Sequence, residues 1–121
     1  MQLNGTLYKI LSHDDTHVVV EMLDEHPVYK GHFPNQPITP GVMSLRMVKE
    51  LCQMTTGYQI RYSHIKNCRF HSIIKPGDTL NITMKLTADE SAMASYSVKV
   101  TICGEGLPED IRLTLDATMI A

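Results

Sequence analysis

Residues 39–57, TPGVMSLRMVKELCQMTTG, predict a single long helix, the element around which the fold is organised. Thr39 is a preferred N-cap residue, and Pro40 suits the first helical position because its φ angle is already helical. Gly57 supplies the end of the helix, since glycine readily adopts the left-handed conformation found there.

The predicted helix is amphipathic. Its apolar arc lies opposite Arg46 at about 100° per residue and consists of Ser44, Val48, Leu51 and Thr55, flanked by Leu45, Met47, Cys52 and Met54. Its polar stripe consists of Arg46, Lys49, Glu50 and Gln53. We therefore expect one face of the helix to pack on another layer.

The sequence on both sides of the helix predicts strands. Apolar and polar residues alternate with a period of two over residues 80–87, 96–102 and 111–119, which is typical of strands with one buried face. Further strands are expected over residues 6–11 and 17–23 and within residues 58–69. This order of elements predicts an α+β fold, a mostly antiparallel sheet of five or six strands packed on one helix.

The length and composition restrict the class of protein. A chain of 121 residues with a formal net charge of −2 predicts one domain over residues 1–121, and no nucleic-acid partner is expected from so even a charge balance. No apolar run approaches the roughly 18 residues of a membrane span, and the first residues lack the pattern of a signal peptide. The odd number of cysteines, Cys52, Cys68 and Cys103, favours reduced thiols and a cytoplasmic location.

The segment before the helix differs from the rest of the chain. Residues 26–42, HPVYKGHFPNQPITPGV, contain four prolines within fourteen residues, so we expect a stiff loop rather than a helix or a central strand. The loop leads into the helix N-terminus, where the amides of Gly41 and Val42 are donors without intrahelical partners. Such amides can polarise a carbonyl oxygen, and Gly41 permits a close approach of a ligand.

These residues carry a resemblance to a known family. Gly31-His32-Phe33-Pro34, then Pro37 and Pro40-Gly41-Val42, resemble the active-site loop of the hot-dog-fold 3-hydroxyacyl-acyl-carrier-protein dehydratases of the FabA/FabZ type. Arg69-Phe70 and Pro76-Gly77-Asp78 resemble a later strand and turn of that family. The resemblance implies a curved sheet wrapped around a central helix, in a homodimer whose active sites lie between subunits.

The resemblance also implies roles for individual residues. His32 matches the catalytic histidine that removes the α-proton, and Gly41 matches the glycine whose N–H binds the thioester carbonyl. The catalytic acid of the family stands fourteen residues after the histidine, on the helix of the neighbouring subunit, and here that position is Arg46. The residues expected to contact the acyl substrate are Phe33, Pro34, Val42, Met43 and Met47.

Arg46 limits the chemistry that the resemblance allows. A guanidinium stays protonated near neutral pH, so it is a poor proton donor to a leaving hydroxyl, but it can donate charge-assisted hydrogen bonds. One hypothesis is that His32 both removes the α-proton and returns it to the β-hydroxyl. Alternatives are that Arg46 is a solvated residue paired with Glu50, that Glu50 replaces the acid, and that His32 is a structural loop histidine.

The other residues with metal-binding or charged side chains are expected to have surface or packing roles. The sets His13-Asp14-Asp15-Thr16-His17 and His64, Cys68 and His71 have metal-ligand types but no clear convergence, so no metal is expected. No cofactor is expected either, because a thioester itself acidifies its α-carbon. Arg69 and Lys75 are candidates to meet the phosphate or the acidic surface of a carrier protein, with solvated roles equally open.

The function that the resemblance implies is dehydration of 3-hydroxyacyl thioesters in fatty-acid or polyketide-like biosynthesis. The expected partners are an acyl-carrier protein or a coenzyme A thioester and a second copy of the chain. The alternatives are a non-catalytic or partner-dependent subunit, which pairs with another hot-dog chain, and an acyl thioesterase.

Overall fold

The computed structural model describes residues 2–31, 35–106 and 108–121. Its elements are β1 (Tyr8–His13), β2 (His17–Met22), α1 (Val28–Gly31), α2 (Gly41–Thr56), β3 (Arg61–Phe70), β4 (Thr79–Ala88), β5 (Ser95–Cys103) and β6 (Ile111–Ile120). The strands form one sheet in the order β1-β2-β4-β5-β6-β3, and every neighbouring pair is antiparallel. The predicted α+β architecture is therefore confirmed, with six strands.

The alternating residues of the C-terminal strands face the core. Ten of them in β4, β5 and β6 are at most 4 % exposed: Leu80, Ile82, Met84, Val98, Val100, Ile102, Leu113, Leu115, Ala117 and Met119. Leu86 and Tyr96 are only partly buried, and Ile111 is 36 % exposed. Cross-strand register aligns them, as in the pairs Ile82–Ile102 and Val100–Leu115. Each fully buried side chain of this size contributes about 1.5–3 kcal/mol, so this face supplies much of the stability of the fold.

Helix α2 buries its apolar face in the same cluster. Its buried residues are Met43, Ser44, Met47, Val48, Leu51 and Cys52. Thr55 is only half-buried, so the buried arc lies closer to the N-terminus than predicted. Gly57 ends the helix with a φ of 78°, as expected, and its N–H donates to the carbonyl of Gln53 at 2.8 Å.

Two local predictions were wrong. Pro40, in an extended conformation, is the N-cap of α2, and no side chain caps the helix there, because the hydroxyl of Thr39 bonds to Tyr29 instead. The segment predicted as loop also contains the single helical turn α1. Pro27 immediately precedes this turn, and a proline is tolerated at the start of a helix because its missing N–H would have no partner there.

The sheet ends in an exposed strand. β3 pairs only with β6 among the described strands, and most of its residues are exposed, including Ile65 at 40 % and Phe70 at 55 %. It begins three residues later than the predicted segment 58–69. At the other edge, β1 begins at Tyr8 because residues 3–7 form a turn in which Leu3 accepts hydrogen bonds from Thr6 and Leu7.

No helix in the described ranges is long and apolar enough to cross a membrane.

Candidate active site

Two buried hydroxyl groups hold the ends of the proline-rich loop together. The Tyr29 hydroxyl lies 2.7 Å from the Thr39 hydroxyl, and both residues are buried. Burial raises the pKa of Tyr29, so the phenol stays protonated at neutral pH. The predicted site residues His32, Phe33 and Pro34 lie outside the described residues, between these two anchors in the sequence.

Thr39 also ties the loop to the segment after β3. Its backbone N–H donates to the carbonyl of Ile74 at 2.8 Å. Between the loop and this segment lies a groove of about 580 Å³, lined by Gln36, Pro37, Ile38, Ile73, Lys75, Pro76, Gly77 and Asp78. The two segments that carry the family resemblance therefore form opposite walls of one groove.

Helix α2 presents amide donors at its start. The carbonyl of Pro40 accepts from Met43 and Ser44, whereas the N–H groups of Gly41 and Val42 have no acceptor among the described residues. Val42 is 64 % exposed, so this end of the helix is open to solvent in the single chain. Because the dipole of a 16-residue helix places partial positive charge here, the two amides can stabilise a developing negative charge on oxygen.

Phe70 covers Gly41. A methyl group added to Gly41 would lie 2.7 Å from Cζ and 2.9 Å from Cε1 of Phe70, closer than carbon atoms normally approach. A larger residue at position 41 would therefore force the exposed ring of Phe70 to move. No pattern in the sequence predicted a contact for Phe70, which was singled out only by its place in the resemblance to the dehydratases.

Arg46 does not converge with Gly41 within one chain. The two residues are five positions apart on α2, which separates them by about 7.5 Å along the axis and about 140° around it. Arg46 is half-buried and lines a second groove, of about 550 Å³, together with Lys49 and Tyr8. Its one polar contact among the described residues is weak, from Nη1 to the sulfur of Met43 at 3.8 Å.

Glu50 is committed to the N-terminal segment instead of to Arg46. Its carboxylate accepts from the N–H of Leu3 at 2.7 Å, the N–H of Asn4 at 3.2 Å and the hydroxyl of Tyr8 at 2.8 Å. Burial is the main cause that raises the pKa of Tyr8, and the hydrogen bond to Glu50 and the negative charge of Glu50 raise it further. The pair between Arg46 and Glu50, one of the alternatives for Arg46, is not present, because these three donors occupy the carboxylate.

Met43 and Met47 lie in the core. They are 6 % and 0 % exposed and belong to the main hydrophobic cluster. Their expected contact with an acyl chain, like that of Val42, stays a prediction.

The metal-type residues have other contacts. Asp14 accepts from the backbone N–H groups of Thr16 and His17, which lowers the pKa of its carboxyl group, and the His71 ring lies 3.2 Å from the Thr114 hydroxyl. The described residues contain no group of three or more histidine, cysteine, aspartate or glutamate side chains placed to hold a metal ion. Cys52 is fully buried, and burial raises the pKa of its thiol to about 12.

Solved structures with the same architecture identify the fold as hot-dog. The dehydratase heterocomplex ApeI:P from Xenorhabdus doucetiae is 18 % identical, with a TM-score of 0.69 over 98 % of this chain and 100 % of that one. The PaaI protein of the phenylacetic acid degradation operon of E. coli is 15 % identical, with a TM-score of 0.64 over 94 % of this chain and 82 % of that one. At these identities the likeness establishes the fold alone.

The sequence comparisons establish the family. A family model described as ApeI-like, ApeI dehydratase, matches residues 9–106, and the chain therefore belongs to the ApeI-like dehydratase family. The chain is similar to the 3-hydroxyacyl-[acyl-carrier-protein] dehydratases FabZ of Rickettsia massiliae (strain Mtu5) and Rickettsia rickettsii (strain Sheila Smith), each 29 % identical over 87 residues. These matches cover 65 % of this chain and 60 % of the length of the curated relatives.

Proposed function

We propose that this chain dehydrates 3-hydroxyacyl thioesters to trans-2-enoyl thioesters, with His32 as the base. The observation that carries the proposal is the start of α2, where the N–H groups of Gly41 and Val42 have no acceptor in the described part of the chain. These donors follow the loop that contains His32, in a chain of the ApeI-like dehydratase family. A pair of amides that can stabilise an anion suits removal of a proton beside a carbonyl group, a reaction for which His32 would supply the base.

The proposed reaction moves one proton twice. His32 removes the α-proton, and the electron pair of the broken C–H bond passes to the thioester carbonyl oxygen, where Gly41 donates its N–H. The pair then returns to form the C=C bond, the β-carbon–oxygen bond breaks, and the hydroxyl leaves as water with the proton held by His32. Removal of a single hydrogen-bond donor to such an oxyanion lowers kcat by about 10²–10³-fold.

Arg46 is proposed to act by charge and not by proton transfer. Its guanidinium can donate a charge-assisted hydrogen bond to the β-hydroxyl or to the enolate of a substrate bound by another subunit. Arg46→Ala should then lower turnover at least tenfold, whereas Lys49→Ala, which removes a neighbouring cation from the same groove, should change it less than threefold. Full turnover by Arg46→Ala would contradict this role.

The groove of about 580 Å³ beside the loop supports a substrate delivered on a long arm. Its walls include apolar surface from Pro37, Ile38 and Ile73, and Lys75 provides a cation for a phosphate group. These features suit the phosphopantetheine arm of an acyl-carrier protein or of coenzyme A. A cytoplasmic location is part of the proposal, because such thioesters are intracellular and because Cys52, Cys68 and Cys103 are free thiols.

A partner subunit is the second part of the proposal. Gly41 and Arg46 point to different surfaces of one chain, so a complete site requires a second hot-dog chain, either another copy or a different one. Arg46 in place of the carboxylic acid is also compatible with a heteromer, in which an acid from the other chain would protonate the leaving hydroxyl in place of His32; the fold neighbour from Xenorhabdus doucetiae is itself a dehydratase heterocomplex. Thioester hydrolysis is less well supported, because Arg46 cannot activate water as a base.

A single assay separates these functions. The purified chain is incubated with a 3-hydroxyacyl thioester, alone and with a second hot-dog subunit, while enoyl absorbance and free thiol are measured. Dehydration predicts an enoyl product without free thiol. Free thiol would instead indicate a thioesterase, and product only in the mixture would assign the chain to a heteromer.

A further inference from the structure

Arg112 joins three parts of the chain next to the candidate active site. It lies in β6, and its side chain is only 15 % exposed. Its Nη1 donates to Asp78 Oδ2 at 2.7 Å and to the carbonyl of Ile73 at 2.9 Å. Its Nε and Nη2 donate to the two carboxylate oxygens of Asp110 at 2.8 and 3.0 Å.

The main chain of Arg112 holds the same segment from the other side. The carbonyl of Arg112 accepts from the N–H of His71 at 2.9 Å. The segment of residues 71–78 is thus fastened to β6 both by the backbone and by the guanidinium of one residue. Asp78 Oδ2 also accepts the N–H of Lys75 at 2.9 Å, so the Lys75–Asp78 turn is part of this network.

This network leads directly to the start of α2. Ile73 and Asp78, the two acceptors of Arg112 Nη1, both line the groove of about 580 Å³. Ile74, between them, accepts the N–H of Thr39, which is two residues before Gly41. A shift of the Ile73–Asp78 segment away from β6 would therefore move both the wall of the groove and the residue that precedes the helix.

Arginine suits this position better than lysine. The planar guanidinium has five N–H donors in a fixed fork, and here four hydrogen bonds run to four acceptor atoms of three residues. A lysine ammonium has three donors on a flexible stem and cannot hold both oxygens of Asp110 in the same way while reaching Ile73.

We propose that Arg112 is a positioning residue for the dehydration site: through Ile73 and Asp78 it sets the groove wall, and through Ile74 and Thr39 it sets the start of helix α2. This inference rests on the proposed function for its kinetic part. Arg112 touches no substrate in this account and acts only through the segment that it holds.

The two carboxylate partners of Arg112 provide a matched comparison. Asp78 lies in the segment that reaches Thr39 and lines the groove, whereas Asp110 lies in the β5–β6 connection and does not line the groove. The variants Asp78→Asn and Asp110→Asn each remove one charge from the network. If Arg112 only stabilised the fold, both variants would have similar effects on activity at equal loss of stability.

The experiment measures kcat and KM for a 3-hydroxyacyl thioester, together with unfolding midpoints, in the assembly that is active. We expect Arg112→Gln to lower kcat at least tenfold and Asp78→Asn at least threefold, with Asp110→Asn and the exposed control Arg61→Gln within twofold. Arg112→Lys should recover only part of the loss. Equal losses for Asp78→Asn and Asp110→Asn at matched stability, or a loss below twofold for Arg112→Gln, would overturn the proposal.

A second readout does not depend on turnover. Amide hydrogen exchange at Thr39 should accelerate in Asp78→Asn but not in Asp110→Asn, because of these two carboxylates only that of Asp78 belongs to the segment that contains Ile74. If the wild-type assembly has no dehydratase activity and this difference is observed, the proposed function fails while the positioning role stands. Unchanged exchange at Thr39 in Asp78→Asn would overturn the positioning role whatever the activity.

Discussion

The contact between Gly41 and Phe70 makes a sharp prediction for the substitution Gly41→Ala. The added methyl carbon would lie 2.7 and 2.9 Å from two ring carbons of Phe70. Carbon atoms in contact prefer about 3.5–4.0 Å, so the ring has to move by about 1 Å. Phe70 is 55 % exposed and can rotate outward, but it then loses its packing against the helix start.

The expected magnitude follows from two opposing effects. Full burial of a phenylalanine is worth about 1.5–3 kcal/mol, so the half-buried ring of Phe70 loses roughly 0.7–1.5 kcal/mol when it is displaced. Replacing a helical glycine by alanine gains about 0.5 kcal/mol by reducing the entropy of the unfolded chain. Gly41→Ala should therefore destabilise the protein by about 0.2–1 kcal/mol.

The test is a double-mutant cycle in urea at one fixed protein concentration. In a Phe70→Ala background the clash is absent, so Gly41→Ala should be neutral or stabilising, and the coupling energy should be about 1 kcal/mol. Gly31→Ala is the control, since an added methyl group there meets no described atom within 4 Å and should show no coupling to Phe70. The same free-energy change for Gly41→Ala in both backgrounds would refute the contact.

Two further predictions concern residues away from the helix start. Glu50→Gln should lower the free energy of unfolding by about 2 kcal/mol, because a carboxylate that accepts from Tyr8 and two backbone amides is replaced by a neutral group with one acceptor oxygen. The exposed control Glu90→Gln should change the free energy of unfolding by less than about 0.5 kcal/mol, and equal unfolding midpoints of the two variants in urea would contradict the anchoring role of Glu50. During alkylation at pH 8.5, the partly exposed Cys68 should react first, whereas Cys52 should remain unlabelled until the protein unfolds, because Cys52 is buried and the pKa of its thiol is raised to about 12. Equal labelling rates of the two cysteines in mass spectrometry would contradict this placement.

The sheet was predictable because its signals are local. Alternation over residues 80–87, 96–102 and 111–119 identified β4, β5 and β6, since a strand with one buried face imposes a period of two on its own residues. The end of α2 was predictable for the same reason, because the left-handed conformation of Gly57 is a property of one residue. The inserted turn α1 was not, since prolines mark where a helix can begin as well as where it cannot continue.

The contacts that build the candidate site were not predictable from local patterns. Glu50 meets Leu3 across 47 positions of the chain, and Thr39 caps no helix because Tyr29 lies against its hydroxyl. Such contacts depend on the assembled fold and leave no trace in the spacing of neighbouring residues. Gly41 was singled out from the sequence only as an amide donor at a helix start and Phe70 only through the resemblance to the dehydratases, whereas the network of Arg112 was found only in the structure.

The central claim is that His32 is the base of a dehydratase, and turnover of a 3-hydroxyacyl thioester by His32→Ala tests it most directly. The matched control is His13→Ala, which removes an exposed histidine from the end of β1. The assay follows enoyl absorbance with the chain alone and with a second hot-dog subunit. We predict that the wild type and His13→Ala form the enoyl thioester and that the rate of His32→Ala is at least 100-fold lower. This factor is the lower end of the roughly 10²–10⁴-fold contribution of general acid–base catalysis. Full enoyl formation by His32→Ala would contradict the account.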